Sequence, residues 1–188
     1  RFIDFANELF NDESIKQQAV DSIIDRFRTL WNFTRQRFTS VDEKDILAQG
    51  EFISSMLVSL YLKEQGINNR LLNSLDFMRL APEEEPDMEY IGTKLHLLLA
   101  EHKSTNVFLT QGHLCRNAYN ETCYLKQGGD DVSATLIGAA LQAQEVCLWT
   151  DSKELHSCDP RFVKHPAMVK QLSFDEAEQL AYCGWTGF

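Results

Sequence analysis

The stretch from Gln127 to Arg161 constrains the fold most strongly. Gly128-Gly129-Asp130-Asp131 opens an apparent helix whose face is unusually small (Ala134, Gly138, Ala139, Ala140), and Glu145 to Thr150 reads as the strand that follows. A small-residue face lets a helix lie close on a sheet. A glycine pair at a helix start exposes backbone N–H groups that can hold phosphate oxygens. A polar strand end such as Thr150-Asp151 is where open α/β sheets usually place a ligand.

The rest of the chain fits the same plan. Ile15, Ala19, Ile23, Phe27 and Leu30-Trp31 recur at helical spacing and predict a long amphipathic helix over about 12–37. After a break at Thr39-Ser40-Val41-Asp42, a second helix is expected over about 43–65, with Gly66 just past its end. A short strand fits within 71–77, a helix within 88–102 and a buried strand within 106–110. Residues 113–126 read as a β-hairpin or an ordered loop, and 132–143 as a helix. Ser173-x-x-Glu176 forms a capping box for a last helix. Alternating strands and helices predict an α/β fold: a three-layer α/β/α sandwich around a mostly parallel sheet.

Composition removes several functions. A net charge of −10 over 188 residues argues against a nucleic-acid surface, which needs clustered Lys and Arg. No apolar run is long enough to predict a membrane span, and no signal-peptide pattern precedes the first helix. The 5 cysteines are odd in number and form no Cys-x-x-Cys pair, and the 5 histidines give no His-x-x-x-His face. No metal site is therefore expected from protein ligands alone. The thiols are expected to be reduced, mostly buried, and in a cytoplasmic protein. The chain reads as part of a longer one. The acidic run Glu83-Glu84-Glu85 reads as solvated surface.

Six segments in order resemble the amino-acid kinase family, and within it the aspartate kinase branch. They are Gln49-Gly50-Glu51-Phe52-Ile53-Ser54-Ser55, Leu109-Thr110-Gln111-Gly112, the run Gly128 to Ala140, Trp149-Thr150-Asp151, Asp159-Pro160-Arg161, and Ser173 to Tyr182. The resemblance covers roughly 43–184. It implies transfer of the ATP γ-phosphoryl group, with Mg²⁺, to the side-chain carboxylate of aspartate. The product would be an acyl phosphate, the first intermediate toward lysine, threonine and methionine. Such a step needs positioned reactants and charge stabilisation more than covalent help.

By the same resemblance, 1–65 is a mainly helical substrate-side segment of a partial catalytic domain, and 105–188 is its nucleotide-side α/β segment. Glu51 matches the glutamate that contacts the amino-acid substrate. Gln127, Gly128, Gly129 and Asp130 match the substrate loop, and Asp131 matches its retained aspartate, the candidate catalytic residue. An aspartate at a helix start is equally a favourable cap and dipole partner. Thr150, Asp151, His156 and Arg161 match nucleotide-binding positions. A homodimer is the assembly the resemblance allows.

The chain departs from the pattern at several of these positions. Gln127 stands where the family carries an arginine, and a neutral amide loses the charge-assisted bond to a carboxylate. Asp130 replaces a serine and adds negative charge beside anionic substrates; two like charges ~4 Å apart repel by about 4 kcal/mol at an effective dielectric near 20. Glu154 replaces a glycine, His156 an aromatic residue and, if the chain is continuous there, Thr186 a lysine. These changes suit a second reading, in which the chain is a catalytically impaired relative that binds or regulates on the same fold.

Overall fold

In the computed structural model, residues 1–33, 37–125, 128–149, 157–158 and 163–183 are described. The chain divides into two compact units, Arg1–Val146 and Cys147–Phe188.

The first unit begins with three helices. α1 (Phe2–Leu9) and α2 (Glu13–Phe33) join through a tight reversal, and α3 is Ser40–Glu64. The break expected at Thr39 is a reciprocal cap: Asp42 N donates to Thr39 Oγ1 (3.3 Å) and Thr39 N to Asp42 Oδ2 (2.8 Å). At the other end of α3, Glu64 Oε1 accepts from the N–H groups of Asn11 (2.8 Å) and Asp12 (2.7 Å). That carboxylate satisfies donors in the reversal between α1 and α2. Ala6, Phe10, Ala19, Ile23, Ile53, Leu57 and Leu60 fill the interface of the three helices. α1 was not foreseen, although Phe2, Phe5, Ala6 and Leu9 already carry helical spacing.

Beyond α3 come β1 (Asn69–Leu71), a single 3-10 turn (Ser74–Asp76), α4 (Met88–Ala100) and β2 (Val107–Leu109). They are followed by β3 (Leu114–Arg116), β4 (Thr122–Tyr124) and α5 (Gly129–Ala140). β1 pairs with β2 in parallel, Asn69 opposite Val107. β3 and β4 form an antiparallel hairpin, Cys115 opposite Cys123. The α/β class holds, with one parallel and one antiparallel pair among the described residues.

Helices cover both faces of the hairpin, as the period-2 alternation of strand side chains requires. Leu114 and Tyr124 pack with Ala48 and Phe52 of α3. Cys115 and Cys123 point the other way, into a core with Ile91 and Leu95 of α4 and Val132 and Leu136 of α5.

Four expectations are corrected. The strand expected within 71–77 lies instead at Asn69–Leu71, and Ser74–Asp76 form a 3-10 turn. Residues 145–149 form no strand; Val146, Leu148 and Trp149 are exposed, and no neighbouring strand fills their backbone groups among the described residues. The small face of α5 meets helix and loop rather than sheet: Gly138 is buried against Val146, and Ala140 approaches Gly92 of α4. Only Cys115 and Cys123 are buried, whereas Cys158 is half-buried and Cys147 and Cys183 are exposed. The acidic run does lie on the surface, in a loop closed by Ala81 N donating to Glu85 O at 2.8 Å.

The second unit contains α6 (Phe174–Tyr182), started by the expected capping box, with Glu176 N donating to Ser173 Oγ (3.2 Å) and Ser173 N to Glu176 Oε2 (2.8 Å). The bond from Ser173 N, joined by one from Ser173 Oγ to the same carboxylate oxygen (2.9 Å), holds the Glu176 carboxyl below its ordinary range. Ser157 N also donates to Ala167 O at 2.8 Å.

Candidate functional site

Four segments distant in sequence meet around the end of β2. The chain leaves β2 as Thr110-Gln111-Gly112, and Gln111 is buried. Its amide ties two elements together: Oε1 accepts from Ser74 N (2.9 Å), and Nε2 donates to Ser55 Oγ (2.7 Å). Ser55 in turn donates to Glu51 O at 2.7 Å, so the strand end is fastened to the turn of α3 that carries Glu51. Glu51 itself is exposed.

Removing the Gln111 amide would orphan the buried Ser74 N–H. Gln111→Ala is therefore expected to lower stability by about 1–3 kcal/mol, read as a lower urea midpoint with an unchanged denaturant slope. An unaltered midpoint would mean that the bridge adds nothing.

The next residues fasten the same strand end to α5. The side chain of Asp130 lies against Gly112, leaving no room there for a Cβ. His113 N donates to Ser133 Oγ (2.9 Å), which donates on to Gly129 O (2.7 Å). The His113 ring sits where a Cβ on Gly129 would have to go. On its other side His113 meets the Tyr124 ring, centroids 5.0 Å apart.

Tyr124 closes the circuit by donating from its hydroxyl to Lys44 O of α3 at 2.8 Å. Burial raises the pKa of Tyr124 first, and the charges of Asp45, Glu51 and Glu43 raise it further. Glu51 is thus electrostatically linked to the hairpin that leads into α5.

The glycine pair has distinct local reasons. Gly128 is the N-cap of α5 at φ 77°, a left-handed conformation that costs a side-chain-bearing residue. Gly129 is buried, with its backbone against His113. Asp130 and Asp131 follow in the first turn, where the helix dipole favours carboxylates. Asp130 is exposed and Asp131 half-buried.

Of the sequence-predicted site residues, the structure brings Gly128, Gly129, Asp130 and Asp131 to one helix start, and links that start to the Glu51 turn through Gln111, His113 and Tyr124. Gln127, Thr150, Asp151, His156 and Arg161 lie outside the described residues. Gln111 falls in the Leu109-Thr110-Gln111-Gly112 segment of the resemblance but carries no role there, and no sequence motif marks His113 or Tyr124, because their partners are far away in sequence. An apolar groove of about 950 Å³ between α1 and α3, lined by Phe2, Phe5, Leu9, Leu57 and Tyr61, holds none of these groups.

The donor set also bears on Mg²⁺. No cluster of three or more His, Cys, Asp or Glu side chains suited to a metal occurs among the described residues. Mg²⁺ in phosphoryl transfer usually takes one or two carboxylates and completes its shell with phosphate oxygens and water. Asp130 and Asp131, consecutive residues in the first turn of α5, could each supply one such carboxylate.

The sequence profile of the amino acid kinase family matches residues 5–187. The chain belongs to that family. Among curated proteins it is similar to bifunctional aspartokinase/homoserine dehydrogenase 2 of Escherichia coli, 33% identical over 139 residues, covering 73% of this chain and 17% of the relative. It is also similar to the aspartokinase of Chlamydia muridarum, 32% identical over 150 residues, covering 76% of this chain and 33% of the relative. Its fold matches E. coli aspartokinase III in complex with aspartate and ADP, with a TM-score of 0.76 and 23% identity over 93% of this chain and 40% of that one. The chain therefore spans a third or less of these curated relatives.

Proposed function

We propose that this chain is part of an aspartate kinase, moving the γ-phosphoryl group of ATP to the side-chain carboxylate of L-aspartate. The observation that carries the reading is the hydrogen-bonded circuit from Glu51 through Ser55, Gln111 and His113 to the Gly128-Gly129 helix start. It ties the helix turn that carries Glu51, a carboxylate suited to an α-ammonium group, to a helix start whose backbone N–H groups suit anionic oxygens. The aspartokinase names of the sequence relatives supply the substrate class.

In this reading 1–65 lies on the amino-acid side and 105–188 on the nucleotide side, within a three-layer α/β/α sandwich with a largely parallel sheet. Glu51 pairs with the aspartate ammonium. Gln127, Gly128, Gly129 and Asp130 line its carboxylate side, and Asp131 stands nearest the transferring group. Thr150, Asp151, His156 and Arg161 hold ATP. Bound Mg²⁺ would be held by Asp130 or Asp131 and would neutralise phosphate charge. The reading also takes the protein to be cytoplasmic and able to form a homodimer. Among the described residues no helix is long and apolar enough to cross a membrane.

The charge balance of the loop makes a further prediction. Gln127→Arg with Asp130→Ser removes one negative charge and adds one positive, so the KM for aspartate should fall by roughly tenfold, the equivalent of ~1.4 kcal/mol. If KM and kcat both stay unchanged, the loop does not face the substrate.

An acceptor panel tests the substrate class. ADP release from Mg-ATP by the full-length protein is followed with L-aspartate, L-glutamate or N-acetylglutamate. Stimulation by aspartate above the others is expected. Preference for another acceptor would overturn the assignment.

A further inference from the structure

The hairpin entering α5 carries two buried thiols that the reaction does not use. Cys115 and Cys123 are direct cross-strand partners, and their sulfurs are 3.1 Å apart. That is about 1 Å longer than the ~2.05 Å of a disulfide bond. Leu125 N donates to His113 O (2.8 Å), and Asn117 N donates to Glu121 O (3.0 Å). Those bonds lie two residues to either side, so the alternation of an antiparallel ladder places Cys115 and Cys123 at a hydrogen-bonded position. Their Cα atoms are then ~5.5 Å apart, inside the span a disulfide bridges.

The two thiols are not equivalent. Cys115 is completely buried, while Cys123 is 8% exposed. Cys123 also lines a cavity of about 350 Å³ with Lys44, Leu80, Tyr119 and Tyr124. The hydrogen bond shared with Cys115 lowers the pKa of Cys123, and the Lys44 charge lowers it further against the opposing effects of burial, Glu84 and Glu121. For Cys115 the shared hydrogen bond and burial both push the pKa up. A thiolate with a nearby cation and an opening is the usual profile of a reactive cysteine.

We propose that Cys123 and Cys115 form a peroxide-sensitive thiol pair, with Cys123 attacking and Cys115 resolving. The Cys123 thiolate attacks the O–O bond of a peroxide; an S–O bond forms, and the departing oxygen takes up a proton to leave as water or an alcohol. The Cys115 sulfur then attacks the sulfenic sulfur. An S–S bond forms, the S–O bond breaks, and the Cys115 proton leaves with that oxygen as water. Two electrons pass from the sulfurs to the peroxide, and a dithiol reductant reverses the change. The crosslink would join β3 to β4 a few residues before Gly128, coupling redox state to the helix start of the candidate site.

The test treats the reduced full-length protein with hydrogen peroxide, alkylates the remaining thiols and digests with trypsin. Cleavage after Arg116 separates the two cysteines. The expected product is a disulfide-linked pair of peptides, 104–116 with 117–126, which a dithiol reductant resolves. Recovery of both peptides alkylated, at peroxide levels that oxidise exposed Cys183, would overturn the proposal. In Cys115→Ala, which removes the shared hydrogen bond but keeps the cavity opening and the Lys44 charge, a sulfenic-acid-specific diketone should still label Cys123 more than it labels Cys115 in Cys123→Ala. Equal or reversed labelling would overturn the assigned order of attack.

Discussion

Gly129→Ala is expected to lower kcat/KM for aspartate by at least roughly tenfold and to reduce thermal stability, since overpacking a filled site costs about 1–3 kcal/mol. The added methyl would enter the space of the His113 ring. That ring cannot simply swing aside: Tyr124 flanks it, and the His113 backbone is held to α5 through Ser133. The helix start must shift instead, moving the N–H groups proposed to face the substrate. Steady-state kinetics and a melting curve check this. Combining the change with His113→Ala reopens the space and should restore part of the stability. A single variant with native kinetics and melting temperature would show that the close approach is not needed.

Glu51→Gln is the second change with a large expected effect. The substitution is nearly isosteric at an exposed position, so folding should be preserved. The lost charge-assisted bond to the aspartate ammonium is worth about 1.5–3 kcal/mol, or a KM for aspartate raised roughly ten- to 150-fold, with KM for ATP unchanged. A structural readout accompanies it. The Glu51 charge helps to raise the Tyr124 pKa, so the variant should titrate Tyr124 at lower pH, which the ultraviolet absorbance of the phenolate measures. Equal rises in both KM values would place Glu51 outside the amino-acid pocket.

Local signals in the sequence were reliable where a short run of residues determines the geometry. Ser173-x-x-Glu176 supplies both halves of a cap and does start a helix, while Thr39-x-x-Asp42, expected only as a break, is a cap as well. Gly128 marks a left-handed N-cap, and Val107–Leu109 is a strand because an apolar run stops at Gln111-Gly112. Residues 145–149 show the limit of such signals. An apolar run becomes a strand only when another strand fills its backbone groups, and a periodic pattern does not reveal whether one lies alongside.

The candidate site was half legible for a related reason. Glu51 and the Gly128 to Asp131 run stood out through resemblance. The residues that join them act across 56 positions from Gln111 to Ser55 and 80 from Tyr124 to Lys44. No window along the chain contains both partners, so only the folded structure shows that Gln111, His113 and Tyr124 hold the two halves together. The thiol pair behaves likewise. Spacing gave no paired motif, and the hairpin register brought Cys115 opposite Cys123.

The most direct test of the central claim is an aspartyl-hydroxamate assay on the full-length protein with Mg-ATP, L-aspartate and hydroxylamine. Acyl-phosphate transfer predicts hydroxamate that depends on both ATP and aspartate and accumulates with time. Folded protein that forms none would contradict the kinase assignment and leave a ligand-binding relative on the same fold.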